Sequence, residues 1–358
     1  MINNNNNNSN KKKEKQKNKK SEDNNQINLK KIKTKIHNNI ENKKDIQINN
    51  NLSIPDYLKV NKIKEGRIKS YSYFSKEGEN LEGFQQINQD SHLILSNINN
   101  IKDFNIFCIM DGHGPTGHFI SSFISKYLSN LFKNNEIFNN KNLSYINYIL
   151  HENDFSLIKK EIKNAENVLF KKTKIDSTFS GTTCIILIQL GDRIICSNIG
   201  DSRAIMVKSY DRVIQLSIEH KPFLYEESLR IKANGGEICQ MEECDDKIGP
   251  FRIWKRGENY PGIDISRSIG DSIATELGVI STPDFIEKTL DKGTKFIVIM
   301  SKGVYEYLSN KEIMDIVMPY YLKNDSKGAS QALCEISGKL WMENDFISDD
   351  TTAIVLFF

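Results

Sequence analysis

The chain has no long hydrophobic run. Its longest apolar stretches, such as Phe296 to Met300, fall far short of the roughly 20 residues a membrane-spanning helix needs. The opening MINNNNNNSNKKK has no apolar signal core, and Ile2 stands where N-myristoylation requires glycine. No membrane span is therefore expected. Cysteine is sparse and unpatterned: the six residues (Cys108, Cys184, Cys196, Cys239, Cys244, Cys334) form no CxxC pair and no regular framework. Cys108, Cys184 and Cys196 lie inside apolar runs, where free thiols behave as small hydrophobes. The expectation is buried, reduced cysteines in an intracellular protein, cytoplasmic or nuclear.

Charge is nearly balanced overall but unevenly placed. Residues 1–50 carry 13 lysines against 5 acids, about +8, so the net +3 of the chain leaves about −5 for the remainder. The run Lys11 to Lys20 could bind nucleic acid, serve as a nuclear address or touch an anionic membrane. No aromatic residue occurs there for bases to stack on, so the tail reads as solvated, disordered filler. Nucleic acid is not expected as a partner. The division read from these changes is a 1–55 Asn/Lys-rich tail and a 56–358 domain, with order beginning near Ile54-Pro55.

Beyond the tail, short β-branched runs bounded by turn residues predict strands at His92 to Leu95, Asn105 to Met110, Thr182 to Gln189 and Arg193 to Asn198. Arg203 to Val207, Arg212 to Leu216, Lys295 to Ser301 and Thr352 to Phe358 continue the series. Leu190-Gly191-Asp192 between two such runs is a hairpin signal. Helical spacing of apolar residues covers His118 to Phe132, Leu157 to Lys171 and Gly328 to Trp341. Ser309 before Glu312 caps a helix through Val317. A short helix, Glu226 to Ala233, stops at Asn234-Gly235-Gly236. Hairpin-linked strands with helices before and after them favour an α+β fold, two antiparallel sheets packed as a β-sandwich and flanked by α-helices.

The chemistry gathers at strand ends. The apolar run Phe107 to Met110 ends in Asp111-Gly112-His113-Gly114, where two glycines let backbone and side chains approach an ion closely. Alone, this could be a structural turn. Asp201 opens another strand, Asp349-Asp350 precede the last, and Asp90 follows Asn88-Gln89 just before an apolar run. Acids so placed repel one another unless cations lie between them, and hard oxygen donors point to Mg or Mn rather than zinc.

With these residues stand FCIMDGHGPTGH, SGTTCIILIQLGDRIICSNIGDSRAIM, PGIDISRSIGD, FIVIMSKGVYEYLSNKEIMDIV and SDDTTAIVLFF. In order and spacing they resemble the PPM (type 2C) family of metal-dependent protein serine/threonine phosphatases, from about Tyr71 to Phe358. The resemblance implies a phosphatase acting on phosphoserine or phosphothreonine proteins through two metal ions that activate a water. It implies that Asp111 bridges both metals, that the Gly112 carbonyl holds the second and that Asp349 binds the first. It assigns Asp201 to a third, weaker site and Asp90 to positioning water. His113 would be the general acid that protonates the leaving oxygen. Arg203 and Arg267 read as structural partners of nearby acids.

Three positions depart from the family pattern. Where the motif has an Asp-Gly pair whose Asp binds the first metal, this chain has Ser301-Lys302-Gly303. An ammonium about 4 Å from a divalent ion is opposed by about 8 kcal/mol at an effective dielectric of about 20, so reduced metal occupancy is expected at the first site. The expected arrangement puts the Lys302 ammonium in that metal position, neutralising Asp111 and Asp349. Gln89 stands where many members have a metal-binding Glu. Gln85 lies near where some place a phosphate-clamping arginine.

Two readings follow. One is a pseudophosphatase that holds a phosphoprotein or kinase partner without turnover. The other is an active Mg/Mn enzyme with an altered first site, for which Glu306 could supply a substitute ligand. A monomer is expected. In the segment 249–261, Phe251, Arg252, Trp254, Lys255 and Arg256 could form a docking edge, or Phe251, Ile253 and Trp254 could alternate into the core.

Overall fold

The structure, a computed structural model, describes Pro55 and residues 67–358, apart from residues 80, 81, 83–85, 153, 244 and 245. The basic tail, the start of order near Ile54, Gln85 and Cys244 lie outside the described residues.

In chain order the strands are β1 (Ser70–Lys76), β2 (Ser91–Leu95), β3 (Phe104–Met110), β4 (Gly112–His113), β5 (Gly181–Thr182) and β6 (Cys184–Leu190). They continue as β7 (Arg193–Ile199), β8 (Arg203–Lys208), β9 (Arg212–Gln215), β10 (Gly236–Glu243) and β11 (Asp246–Lys255). The last are β12 (Pro261–Ile263), β13 (Ile269–Gly270), β14 (Asp284–Thr289), β15 (Thr294–Met300) and β16 (Thr351–Phe357). The helices are α1 (Gly117–Asn134), α2 (Leu143–His151), α3 (Ser156–Lys172), α4 (Tyr225–Ala233), α5 (Ser272–Glu276), α6 (Lys302–Tyr305), α7 (Asn310–Leu322) and α8 (Ser326–Asn344).

Two five-stranded antiparallel sheets, ordered β1-β16-β15-β8-β9 and β14-β7-β6-β3-β2, carry the fold. Their inner faces share one core, in which Phe107, Ile109, Ile185 and Leu187 meet Met206, Ile297, Ile299 and Ile354. The outer face of the β3 sheet packs on α1 to α3 through Ile106, Cys108, Met110, Ile120, Ile124 and Leu169. The outer face of the β15 sheet packs on α6 to α8 through Val298, Met300, Val304, Ile313 and Leu333. Every residue of β3, β6 and β16 is consequently buried, which is why these strands read as continuous apolar runs rather than alternating ones. Fully burying each such side chain is worth roughly 1.5–3 kcal/mol. The expected sandwich flanked by helices is the observed fold.

The local signals hold in most places. Leu190 pairs with Arg193 across a two-residue turn, and Gly191 takes the positive φ of 60° that this turn requires. Ser309 and Glu312 form the reciprocal capping box of α7. The run Thr182 to Gln189 is not one strand. It breaks at Thr183, whose N–H donates to the Asp111 carbonyl at 2.9 Å. The sequence predicts two long helices between β3 and β6, and the structure adds the nine-residue α2 between them.

Only Ile253 of the trio in β11 enters the core, under Ile231 of α4. Phe251 stays 43% exposed beside Phe223. Trp254 covers Gly262 and donates to the Cys239 carbonyl at 3.1 Å. Cys108, Cys184, Cys196 and Cys334 are buried free thiols, whereas Cys239 is exposed, so the expectation of buried cysteines fails there: β10 has solvent, not a helix, along that face.

Candidate functional site

The site is built where the chain leaves β3. Asp111 follows the last buried residue of that strand. Its N–H donates to Thr183 Oγ1 at 3.0 Å, and the Thr183 hydroxyl shares a hydrogen with Ser202 Oγ at 2.7 Å. Gly112 and His113 then pair with Thr182 and Gly181 as β4 against β5. A Cβ at Gly112 would lie 2.6 Å from the Gln89 carbonyl oxygen and 2.7 Å from that of Gly117, so only glycine allows the three segments to meet.

Asp90, Asp201 and Asp349 lie near enough to Asp111 for their charges to act on it. Burial pushes the Asp111 carboxyl well above its ordinary range, and Asp90, Asp349 and Asp201 push it further, against the Lys302 N–H that donates to its Oδ2 at 3.0 Å. Asp90 is raised to about 7, first by burial and then by Asp350 and Asp349, with the Thr352 and Ser301 hydroxyls pulling the other way. Asp349 is raised to about 6 by burial, with Lys302 opposing. Asp350 serves the backbone instead: it accepts from Gly78 N–H at 2.8 Å and Gln89 N–H at 2.6 Å. These bonds tie β1, the Gln89 segment and the start of β16 together.

Lys302 opens α6 with its side chain 25% exposed. Its ammonium does not hydrogen-bond Asp111 or Asp349, the expected partners. It donates to Asp264 Oδ2 at 3.2 Å. Lys221 bridges the same carboxylate, at 3.4 Å, to Asp201 Oδ2, at 2.6 Å. Burial works against the charged form of Asp264, yet Lys302, Lys221 and Arg252 hold it well below the carboxylate range. Burial also opposes the Lys302 ammonium, but Asp264, Asp201 and Glu306 raise it above the ordinary lysine value. Lys302 stays charged. Asp264 and Lys221 were not singled out from the sequence. They arrive from loops 38 and 81 residues away, and only the DIS of PGIDISRSIGD hinted at an acid.

His113 faces a second unforeseen residue. Its Nε2 lies 2.7 Å from Asp271 Oδ2. Burial alone would lower the imidazole, and Asp271 more than offsets this, so its value is raised.

Hard divalent ions take oxygen donors. Both Asp90 carboxylate oxygens and Gln89 Oε1 are buried with no hydrogen bond of normal geometry. The Thr352 and Ser301 hydroxyls lie near Asp90 and ease its charge without satisfying it, and this side of the cluster fits Mg or Mn. The Lys302 side presents a cation instead. The carboxylates of Asp90, Asp201 and Asp349 act on Asp111 through their charge, but among the described residues no three His, Cys, Asp or Glu side chains are close enough to form a ready-made metal cage.

The two motif arginines are structural, as expected. Arg203 donates to Glu219 at 2.8 Å and lies 3.7 Å over the Tyr305 ring. Arg267 pairs with Glu227 at 2.7 Å and with Asp284 at 2.8 Å. No helix among the described residues is long and apolar enough to cross a membrane.

Known proteins agree with this architecture. The family model described as protein phosphatase 2C matches residues 75–337. "Probable protein phosphatase 2C 35" of Arabidopsis thaliana is 30% identical over 305 residues, covering 80% of this chain and 83% of that one. "Probable protein phosphatase 2C 34" of the same plant is 31% identical over 300 residues, 80% of each. Among solved structures, a serine-threonine phosphatase 2C from Toxoplasma gondii superposes with a TM-score of 0.66 at 18% identity, over 82% of this chain and 97% of that one, a likeness of fold. The chain belongs to the protein phosphatase 2C family of serine/threonine phosphatases.

Proposed function

We propose that this phosphatase domain captures phosphoserine- or phosphothreonine-bearing proteins, or a kinase partner, and turns them over poorly or not at all. The observation that carries the reading is the Lys302 ammonium, paired with Asp264 at 3.2 Å and near enough to Asp349 and Asp201 for their charges to interact. By family resemblance, a metal-binding carboxylate belongs at that position. The family works with Mg or Mn. Here such an ion would be held by Asp111 and the Gly112 carbonyl, with Gln89 and Asp90 behind them, and Asp349 and Asp201 would serve sites of reduced occupancy. The chemistry a bound metal supplies is activation of the attacking water. Lys302 neutralises carboxylate charge without supplying that function, and a fixed ammonium repels the missing ion.

A second reading, an active enzyme with an altered first site, draws support from His113, whose partner Asp271 is in place, and from Asp264, which brings an extra carboxylate to the neighbourhood of Lys302. Glu306, the expected substitute ligand, acts on Lys302 only as one of several nearby negative charges. The domain would act as a monomer in the cytoplasm or nucleus.

Hydrolysis of a phosphothreonine peptide with Mn²⁺, beside Asp111→Ala and Lys302→Asp variants, tests the proposal. Unmodified protein should match Asp111→Ala, and Lys302→Asp should gain activity. Clear turnover by the unmodified protein above Asp111→Ala would establish the active enzyme.

A further inference from the structure

The strand pair β4–β5 leads into a buried contact between His113 and Asp271, the last residue of the PGIDISRSIGD run. Asp271 follows β13 and precedes α5, with only 5% of its side chain exposed, against 30% for His113. One carboxylate oxygen, Oδ2, accepts from Ser268 Oγ at 2.6 Å and lies 2.7 Å from His113 Nε2. The backbone is committed to this placement. Asp271 takes a left-handed φ of 45°, a conformation that aspartate tolerates better than most non-glycine residues. Its N–H donates to the Ser180 carbonyl at 2.8 Å, and its carbonyl accepts from Thr275 N–H at 2.9 Å. Gly181, the strand partner of His113, leaves the room: a Cβ there would lie 2.1 Å from Asp271 Oδ2 and 3.0 Å from His113 Nε2.

We propose that Asp271 is the positioning residue of His113, fixing the imidazole with its proton on Nε2 and presenting Nδ1 as the nitrogen that exchanges protons with a bound phosphoester. The reasoning is one of donors and acceptors. Oδ2 already accepts from a hydroxyl, so it faces the ring as an acceptor, and Nε2 must donate in both the neutral and the protonated imidazole. Among the described residues Nδ1 has no hydrogen-bond partner. Nε2 is thus anchored against a buried carboxylate, while the side chain as a whole keeps 30% of its surface exposed. If the ester is cleaved, a water oxygen bonds to phosphorus as the P–O bond to the seryl or threonyl oxygen breaks. That leaving oxygen takes the Nδ1 proton of the imidazolium, and the ring becomes neutral with its proton on Nε2. The proton given up by the attacking water passes to solvent, from which Nδ1 is reprotonated. Ser268 supports the arrangement by holding the carboxylate.

The assignment concerns the imidazole rather than turnover, so it stands or falls separately from the impaired-phosphatase reading. The full chain, labelled with ¹⁵N-histidine and stripped of metal, is the sample, and His113→Gln identifies the His113 resonances. Above the imidazole titration, His113 should show a protonated Nε2, a bare Nδ1 and a slowly exchanging Nε2–H. Loss of a charge-assisted hydrogen bond should make that proton exchange about tenfold faster in Asp271→Ala. If that variant does not fold, Asp271→Asn carries the test, with the charge removed and the shape kept. Thr275→Ala, which removes a hydroxyl in the same turn without touching the ring, should leave the Nε2–H signal unchanged. A proton found on Nδ1, or an exchange rate equal in the unmodified protein and the Asp271 variant, would overturn the assignment.

Discussion

Two groups of buried acids in this domain are treated in opposite ways. Both oxygens of the Glu227 carboxylate accept from guanidinium or hydroxyl donors: Arg230 at 2.7 Å, Arg267 at 2.7 Å, and Ser266 Oγ at 2.5 Å. Burial would raise Glu227, yet these donors bring it down to about 2. Around Asp111, the acids meet mainly each other, and Asp90 rises to about 7. Burial is shared by the two groups, so it cannot distinguish a brace from a site. The presence or absence of matched donors does. Glu227 fastens α4 to the strand-end segment that carries Arg267. The Asp111 cluster has fewer such donors, and its acids act on one another instead. Lys302 and Lys221 make the border between the two, since they bring brace-like partners into the cluster.

The largest effect should come from breaking the brace. Glu227→Ala leaves Arg230 and Arg267 facing each other partly buried and should cost about 3–5 kcal/mol, measured by urea unfolding. The brace should also show in acid. Glu227 is depressed, so its contribution is fully present above its unfolded value near 4.5 and is lost as pH falls through about 2. The shift corresponds to roughly 3 kcal/mol, and Glu227→Gln should flatten that part of the stability curve.

The opposite sign is expected in the cluster. Asp90 is raised, so the folded state is favoured below its unfolded value of 3.8 and loses stability as pH rises through about 7. In metal-free protein at pH 8, Asp90→Asn should therefore stabilise, by up to about 4 kcal/mol for a shift of this size, and the gain should vanish toward pH 4. Denaturation by urea at the two pH values, with chelator present, measures both. A destabilising Asp90→Asn at pH 8 would erase the distinction between the groups. Smallest is Asp284→Asn. Half of that side chain is exposed (49%), and screening should keep the loss of its Arg267 contact under about 1 kcal/mol.

Some of this was legible in the sequence. Asp111 and His113 stood out because they end a strand too apolar to be anything but buried on both faces, and glycines at 112 and 114 announced a tight approach. The α7 start was readable because a capping box is local. What remained hidden was long-range. Nothing near Asp271 says that its partner lies 158 residues earlier, and nothing near Asp350 says that it receives the Gln89 N–H from 261 residues away. Lys302 was conspicuous, but its side-chain partner was misjudged. A flexible four-carbon stem reaches several acids, and the choice of Asp264 depends on where the loop after β12 sits. Strands β10 and β11 escaped notice because they mix polar and apolar residues, and α2 because NLSYINYILH is short and begins among asparagines.

The most direct measurement is the number of Mn²⁺ ions bound by the full chain, counted by calorimetric titration and compared with Lys302→Asp. If the Lys302 ammonium stands in for a metal, the unmodified protein should bind at most one ion tightly and the variant should gain another. Two tight ions in the unmodified protein, with no gain on substitution, would contradict the place given to Lys302.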